Sequence, residues 1–336
     1  MPFNMFNNVT SKVAGFAIAA VVPLAAIVTT PSDAEAFSFT RIYSFGDSLS
    51  DTGNSFAATG GLLPPNLLYP SNGRFSNGPV WTEYLAPQLG ASLQTLAFGG
   101  ARTDATNNFP PLPGLTQQVN SIRTAEADAL YVIWAGGNDY LNAQRRDPVP
   151  VVTNLSNAVS ALANVGARNI AVGNLPDLGA IPGTSGNPAI ASGLTQLTQA
   201  HNFLLAQNLS AIQQTRPGLN LYTLDFNSLF RDVIANPGTY GFTNVTDSCL
   251  FTGCTTPSTY LFWDEIHPTT AGHSRLADFA FTSLQAQAVP EPPATIGLIL
   301  GGAFLLGMGA LRKQRQTPIA LNIPAKAPQK SHSGDF

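Results

Sequence analysis

Residues 40–54 read TRIYSFGDSLSDTGN, an apolar run that ends at Phe45 and breaks into glycine, acid and serine. A short apolar run bounded by turn residues reads as a buried strand. Its end has two readings: an ordinary turn, or a strand that exists to present Ser48. Four more runs of the same kind follow at 93–98, 129–135, 169–173 and 220–226. Between the later ones the apolar residues recur at helical spacing, as in Val151, Leu155, Val159 and Leu162, and again in Leu194, Leu197, Leu204, Leu205 and Ile212. Strand, helix, strand in repetition predicts right-handed crossovers and a mostly parallel sheet covered on both faces, an α/β architecture. The Pro- and Gly-rich stretches at 60–79, 107–114 and 176–188 read as long loops at the strand ends.

Ligands of such sheets bind outside the carboxyl ends of the strands, so the polar residues just after each apolar run are the candidates. They are Gly46, Asp47 and Ser48; Gly99 and Gly100; the run Gly136, Gly137, Asn138 and Asp139; and, after TYLFW, Asp264 and His267. A serine hydroxyl is a poor nucleophile until a base takes its proton, and that base needs a third group to fix its orientation. Ser48, His267 and Asp264 match those roles. In WDEIHP the acid precedes the histidine by three residues, so one local turn can bring the carboxylate to one ring nitrogen and aim the other outward, while Pro268 stiffens the turn. Attack on an ester creates a negative oxygen that needs aimed donors: Gly99 or Gly100 through the backbone, Asn138 through its amide. Asp47, Asp51 and Asp139 read as loop hydrogen-bonders and His201 as a satisfied core histidine. His273 reads as starting the last helix or facing solvent, and Arg145 and Arg146 as a solvated pair.

Taken together, GDSL, the glycine of the second block, GGND and DEIHP resemble, in order, the four blocks of the SGNH, or GDSL, hydrolases. NGRFSNGPVW at 72–81 is similar to a block of the lipase-like branch. The resemblance covers most of residues 40–285. It implies a three-layer αβα sandwich with a flavodoxin-like sheet, catalysis by Ser48, Asp264 and His267, and an oxyanion hole from Ser48, Gly100 and Asn138. It also implies ester hydrolysis through an acyl-serine, with no cofactor. The GxSxG elbow of the other large hydrolase fold is absent: Gly46 and Ser50 flank Ser48, and GTSGN at 183–187 fails as well.

Composition bounds the rest. The chain has 336 residues, 44% hydrophobic and 10% charged, enough to bury a full core. Residues 37–288 hold ten arginines, no lysine and fifteen acids, for a formal charge near −5, so no basic stripe invites nucleic acid. Residues 1–36 carry Lys12, an apolar stretch and then Ala34, Glu35 and Ala36, the pattern of a cleaved signal peptide; an N-terminal anchor is the alternative. After the hydrolase-like domain at 37–288, residues 289–316 place Pro290, Glu291 and Pro292 ahead of eighteen uncharged residues, 294–311, and then Arg312, Lys313 and Arg315. That is long enough to span a bilayer with the basic end cytoplasmic. This segment resembles a PEP-CTERM sorting signal and implies an exosortase-type partner; residues 317–336 are a polar tail.

Cys249 and Cys254 are expected as a disulfide of an exported protein, since a zinc site needs further ligands, and no pair of the four histidines has metal-binding spacing. The favoured reading is an exported serine esterase or lipase-like hydrolase of small esters or lipids, held at the cell surface or membrane through its C-terminal segment or released after processing. A carbohydrate O-deacetylase of surface polysaccharide and a non-catalytic surface-anchored binding protein are the alternatives.

Overall fold

The computed structural model describes residues 39–70 and 73–288. The expected leader, the sorting segment and the polar tail lie outside them. Among the described residues no helix is long and apolar enough to cross a membrane.

Five strands form a fully parallel sheet in the order β2-β1-β3-β4-β5: β1 Arg41–Gly46, β2 Ser92–Thr95, β3 Leu130–Trp134, β4 Asn169–Gly173 and β5 Asn220–Leu224. This is the flavodoxin-like order, whose switch point lies between β1 and β3. Every residue of β3 is buried, as expected of a central strand covered on both faces. Its side chains alternate between two cores. Leu130, Val132 and Trp134 pack with Trp81, Leu85, Phe226, Leu276 and Leu284. Tyr131 and Ile133 pack with Leu155, Val159, Leu162, Leu205 and Leu209. The first core is closed by the helices Trp81–Gln88, Phe226–Ala235 and Thr270–Ala288, the second by Leu115–Asn120, Pro148–Asn164 and Pro188–Thr215. The result is a three-layer αβα sandwich.

All five expected strands are present, with ends that differ for local reasons. The fifth stops at Leu224 because the Asp225 side chain accepts the Ser228 N–H and caps the helix that begins at Phe226. A small second sheet pairs Asn244–Ser248 with Tyr260–Phe262 in parallel. The polar run NVTDS carries no apolar alternation, and its pairing is supplied by tertiary contact. Cys249 and Cys254 are disulfide-bonded across a one-turn helix that follows this strand.

Candidate active site

The turn after β1 is forced by its glycine. Gly46 has φ +142°, and a Cβ there would lie 1.9 Å from the carbonyl oxygen of Trp134 on the neighbouring strand. Only glycine lets the two strand ends come this close. The buried amide of Gln118 then clamps the same residue twice: the Gly46 N–H donates to Oε1 at 2.9 Å, and Nε2 donates to the Gly46 carbonyl at 2.9 Å. Ser48, two residues on, is held above the sheet edge at the switch point. Gln118 escaped sequence analysis; its only signal is a polar residue on the buried stripe beside Leu115 and Val119.

Opposite Ser48, the turn after Tyr260–Phe262 brings the acid and the base together. The Asp264 Oδ1 accepts the N–H groups of Ile266 and His267, both at 2.7 Å, which fixes the carboxylate within its own turn. Its Oδ2 lies 2.6 Å from His267 Nδ1, and His267 Nε2 lies 2.7 Å from Ser48 Oγ. With the Nδ1 proton directed to Asp264, Nε2 accepts the serine O–H. The three residues named from the sequence are therefore joined in one unbroken hydrogen-bonded chain. Ser76 donates to the Pro268 carbonyl at 2.9 Å, and Asn77 Oδ1 accepts the Thr270 N–H at 2.8 Å. Phe75 lies with its ring centroid 5.5 Å from that of His267. Residues 75–77 of the 72–81 block thus brace the histidine turn.

A fourth member was not foreseen. Tyr69 donates its O–H to Asp264 Oδ2 at 2.6 Å, and the Trp263 indole N–H donates to the Leu68 carbonyl at 3.2 Å. These bonds tie the 60–70 loop to the acid–base turn across 195 positions of sequence, a distance no local pattern reveals. Burial, and then the Asp264 charge, push the Tyr69 phenol far up, so it remains a donor. For Asp264, burial alone would raise the pKa, but the His267 charge and the bonds from His267 and Tyr69 outweigh it and bring it down to about 2. Burial opposes a charge on His267, yet Asp264 and, more weakly, Asp47 hold its pKa above the usual imidazole value.

The donor side is built by the loops after β2 and β3. Gly99 cannot serve, because its N–H is already donated to Asp51 Oδ2 at 2.9 Å and Ser55 Oγ at 2.8 Å. Gly100, at φ +76°, and Ser48 keep backbone N–H groups with no hydrogen bond among the described residues. Asn138 gives one amide proton to the Ala101 carbonyl at 3.1 Å and has a second to spare. Its Oδ1 accepts Asn108 Nδ2 at 3.0 Å, and Asn108 Oδ1 accepts Arg102 Nε at 2.9 Å. Arg102 and Asn108 thereby fix which way the Asn138 amide points. Neither was singled out in the sequence.

Ser48, Gly100, Asn138, Asp264 and His267 all line one cavity of about 360 Å³, walled by Leu63, Phe75, Phe109, Trp134 and Leu175. A larger hollow of about 610 Å³ lies between Asp177, Phe230, Arg231 and Phe262 and contains none of the predicted residues. The remaining candidates separate clearly. Asp51 accepts the N–H groups of Gly53, Asn54, Ser55 and Gly99, and buried Asp139 accepts the N–H and hydroxyl of Thr103, so both hold loops together. His201 is only half satisfied: Nδ1 pairs with Tyr140 at 2.8 Å, while buried Nε2 has no partner among the described residues. His273 does start the last helix, but it does not face solvent. It lies on the buried stripe with Leu276, Ala277, Ala280 and Leu284, and burial pushes its pKa down to about 3. Arg145 is not a free solvated cation, for it pairs with Asp104 at 2.6 Å and Asp139 at 3.4 Å.

Comparison with known proteins follows the same lines. The family described as GDSL-like Lipase/Acylhydrolase matches residues 42–280. The chain is 32% identical over 267 residues to a thermolabile hemolysin of Vibrio parahaemolyticus, covering 71% of this chain and 62% of that protein. It therefore spans less than two thirds of the hemolysin's length. It is 27% identical over 311 residues to a phosphatidylcholine-sterol acyltransferase of Aeromonas hydrophila, covering 74% and 91%. Among solved structures it is similar to an aryl esterase of M. smegmatis, at 19% identity and TM-score 0.46, covering 74% of this chain and 99% of that one.

Proposed function

This chain belongs to the GDSL-like lipase/acylhydrolase family, and on that premise we propose that it is an exported serine esterase of lipase-like character, cleaving carboxylic esters through an acyl group on Ser48. The observation that carries the reading is the Ser48–His267–Asp264 chain, with contacts of 2.7 and 2.6 Å, opening into the same cavity as three uncommitted N–H donors. Ser48 Oγ attacks the ester carbonyl while His267 Nε2 takes its proton, and Asp264 stabilises the imidazolium that forms. The carbonyl oxygen, now an anion, receives the N–H groups of Ser48 and Gly100 and the free amide proton of Asn138. Collapse of the tetrahedral adduct expels the alcohol with the proton from His267. The acyl-serine is then resolved by water, activated by the same imidazole. A second alcohol in place of water would give acyl transfer by the same steps.

Export is supported by the leader pattern of residues 1–36 and by a disulfide that suits an oxidising compartment. Retention at the cell surface through residues 294–311, with release by an exosortase-type enzyme, belongs to the same proposal. The apolar cavity walls favour an acyl chain over a sugar. Ser48→Ala should lower kcat by on the order of 10⁶ while leaving the melting curve unchanged, and a fluorophosphonate should label Ser48. Residual activity within tenfold of wild type, or labelling of another serine, would overturn the assignment. A chain-length series of nitrophenyl esters run beside acetylated xylan separates the acyl-chain reading from polysaccharide deacetylation.

A further inference from the structure

Nine large apolar side chains stand exposed among the described residues, and six of them belong to the rim of the Ser48 cavity. Phe109, Phe251 and Ile266 line the cavity themselves while remaining 43%, 64% and 38% exposed. Leu62, Leu67 and Leu68, at 77%, 93% and 39%, come from the loop whose Leu63, Pro64, Pro65 and Tyr69 form the cavity wall. Isolated exposed apolar residues are ordinary, but convergence of four separate chain segments on one mouth marks an interaction surface.

The charge around this mouth identifies what it meets. Three of the four rim segments lie in long runs without a single ionisable acid or base: residues 52–73, 105–122 and 248–263 hold no Asp, Glu, Lys or Arg. Glu265 is the one exposed charged residue lining the cavity, and no Lys or Arg lines it. A surface that bound anionic headgroups would present basic residues, which are worth roughly 1 kcal/mol each near an acidic bilayer. Here none is offered. We propose that this rim docks on a net-neutral lipid surface, with Leu62, Leu67 and Phe251 entering the interfacial layer, so that ester substrates pass from the lipid phase to Ser48 without crossing water.

The fold supports each docking group. Phe251 stands on the one-turn helix enclosed by the Cys249–Cys254 disulfide, and the Ser248 hydroxyl ties that helix to the Trp263 carbonyl at 3.0 Å, next to Asp264. The leucine loop is fastened to the same turn through Tyr69 and Leu68. The Phe251 helix and the leucine loop are therefore both tied to the turn that carries Asp264 and His267. The inference rests on the ester-hydrolase reading for the fate of the substrate, but not for the docking itself.

The full-length protein carrying Leu67→Trp is mixed with phosphatidylcholine vesicles containing brominated acyl chains. Trp81, Trp134 and Trp263 are buried, so wild-type fluorescence should change little. The variant should be quenched several-fold more strongly than wild type. In parallel, the Leu62→Asp, Leu67→Asp double variant should hydrolyse a vesicle-borne ester at least tenfold more slowly and a dissolved short-chain ester within twofold of wild type. Neither leucine lines the cavity, so the dissolved-substrate rate reports an intact site. No added quenching, quenching by phosphatidylglycerol vesicles alone, or equal slowing on both substrates would overturn the proposal. So would a solution dimer that the double variant dissociates, because the rim would then cover a second copy of the chain. Quenching without hydrolysis of any ester by the wild-type protein supports the docking and overturns only the enzymatic reading.

Discussion

Two turns deliver a buried aspartate to the neighbourhood of His267, and they treat its charge in opposite ways. Asp47, in the turn after β1, is 4% exposed, and its side chain accepts one N–H, from Leu49 at 3.1 Å. Burial dominates and pushes its pKa up to about 6. Asp264, in the turn after the small second sheet, is 5% exposed, and its two oxygens receive four donors, from Ile266, His267 twice, and Tyr69. Its pKa falls to about 2. At equal burial, direct contact with the His267 charge together with the fuller set of donors, and not depth, holds the Asp264 pKa below that of Asp47.

Within this comparison the largest effect should come from removing the charge of the well-supplied carboxylate. Asp264→Asn is expected to lower kcat by about 10⁴, because an amide at that point favours the wrong imidazole tautomer. A loss below tenfold would mean that Asp264 does not orient His267.

Asn138→Ala tests the comparison from outside, since it leaves both carboxylates in place. It should reduce kcat by about 10² to 10³ with KM little changed. The acid limb of kcat/KM, which reports His267 in the free protein and should lie above the ordinary imidazole value, should stay where it is. A shifted limb would show that Asn138 acts through the acid–base pair.

Tyr69→Phe removes one of the four donors to Asp264. The carboxylate becomes more basic and pulls harder on the imidazole, so the acid limb should move to higher pH, with a several-fold loss of rate below it. Asp47→Asn should shift the same limb downward, because Asp47 is one of the two charges that raise the His267 pKa. Shifts of the same sign in the two variants would break the comparison.

The smallest effects are on stability. Asp47 has a folded pKa of about 6 against an unfolded value near 4. Between those limits the folded state binds more protons, so stability falls as pH rises through the window, by on the order of 2–3 kcal/mol. Asp264 is the reverse: its contribution is present above about pH 4 and is lost as pH falls toward 2. In urea unfolding between pH 4 and 7, wild type should therefore lose stability relative to Asp47→Asn as pH rises. Both proteins share the downward slope of Asp51 and Asp139, raised by burial, and the opposite slope of His201 and His273, pushed down to about 3 by burial, so it is the difference between the two proteins that reports Asp47. An unchanged slope would place the titration elsewhere.

Short-range chemistry is legible in the order of the residues alone. Apolar runs and their spacing gave five strands and the helices between them, because side-chain period follows directly from backbone geometry. The turn residues after those runs and after TYLFW gave Ser48, Gly99 or Gly100, Asn138, Asp264 and His267 as one candidate set; a parallel sheet gathers the ends of its own strands at one edge, whereas Asp264 and His267 follow the small second sheet. The three-residue spacing of Asp264 and His267 contained its own geometry. Tertiary structure decided the rest. The Gly99 N–H is engaged and the Gly100 N–H open because Asp51 and Ser55, more than forty positions from Gly99, accept the Gly99 N–H. Gln118, Tyr69, Asn108 and Arg102 support the site from separate loops and helices, and each does so through a hydrogen bond that exists only once the chain has closed on itself. The opposite shifts of Asp47 and Asp264 belong to the same class. A carboxylate's charge depends on burial and on donors brought from elsewhere, and one letter in the sequence records neither.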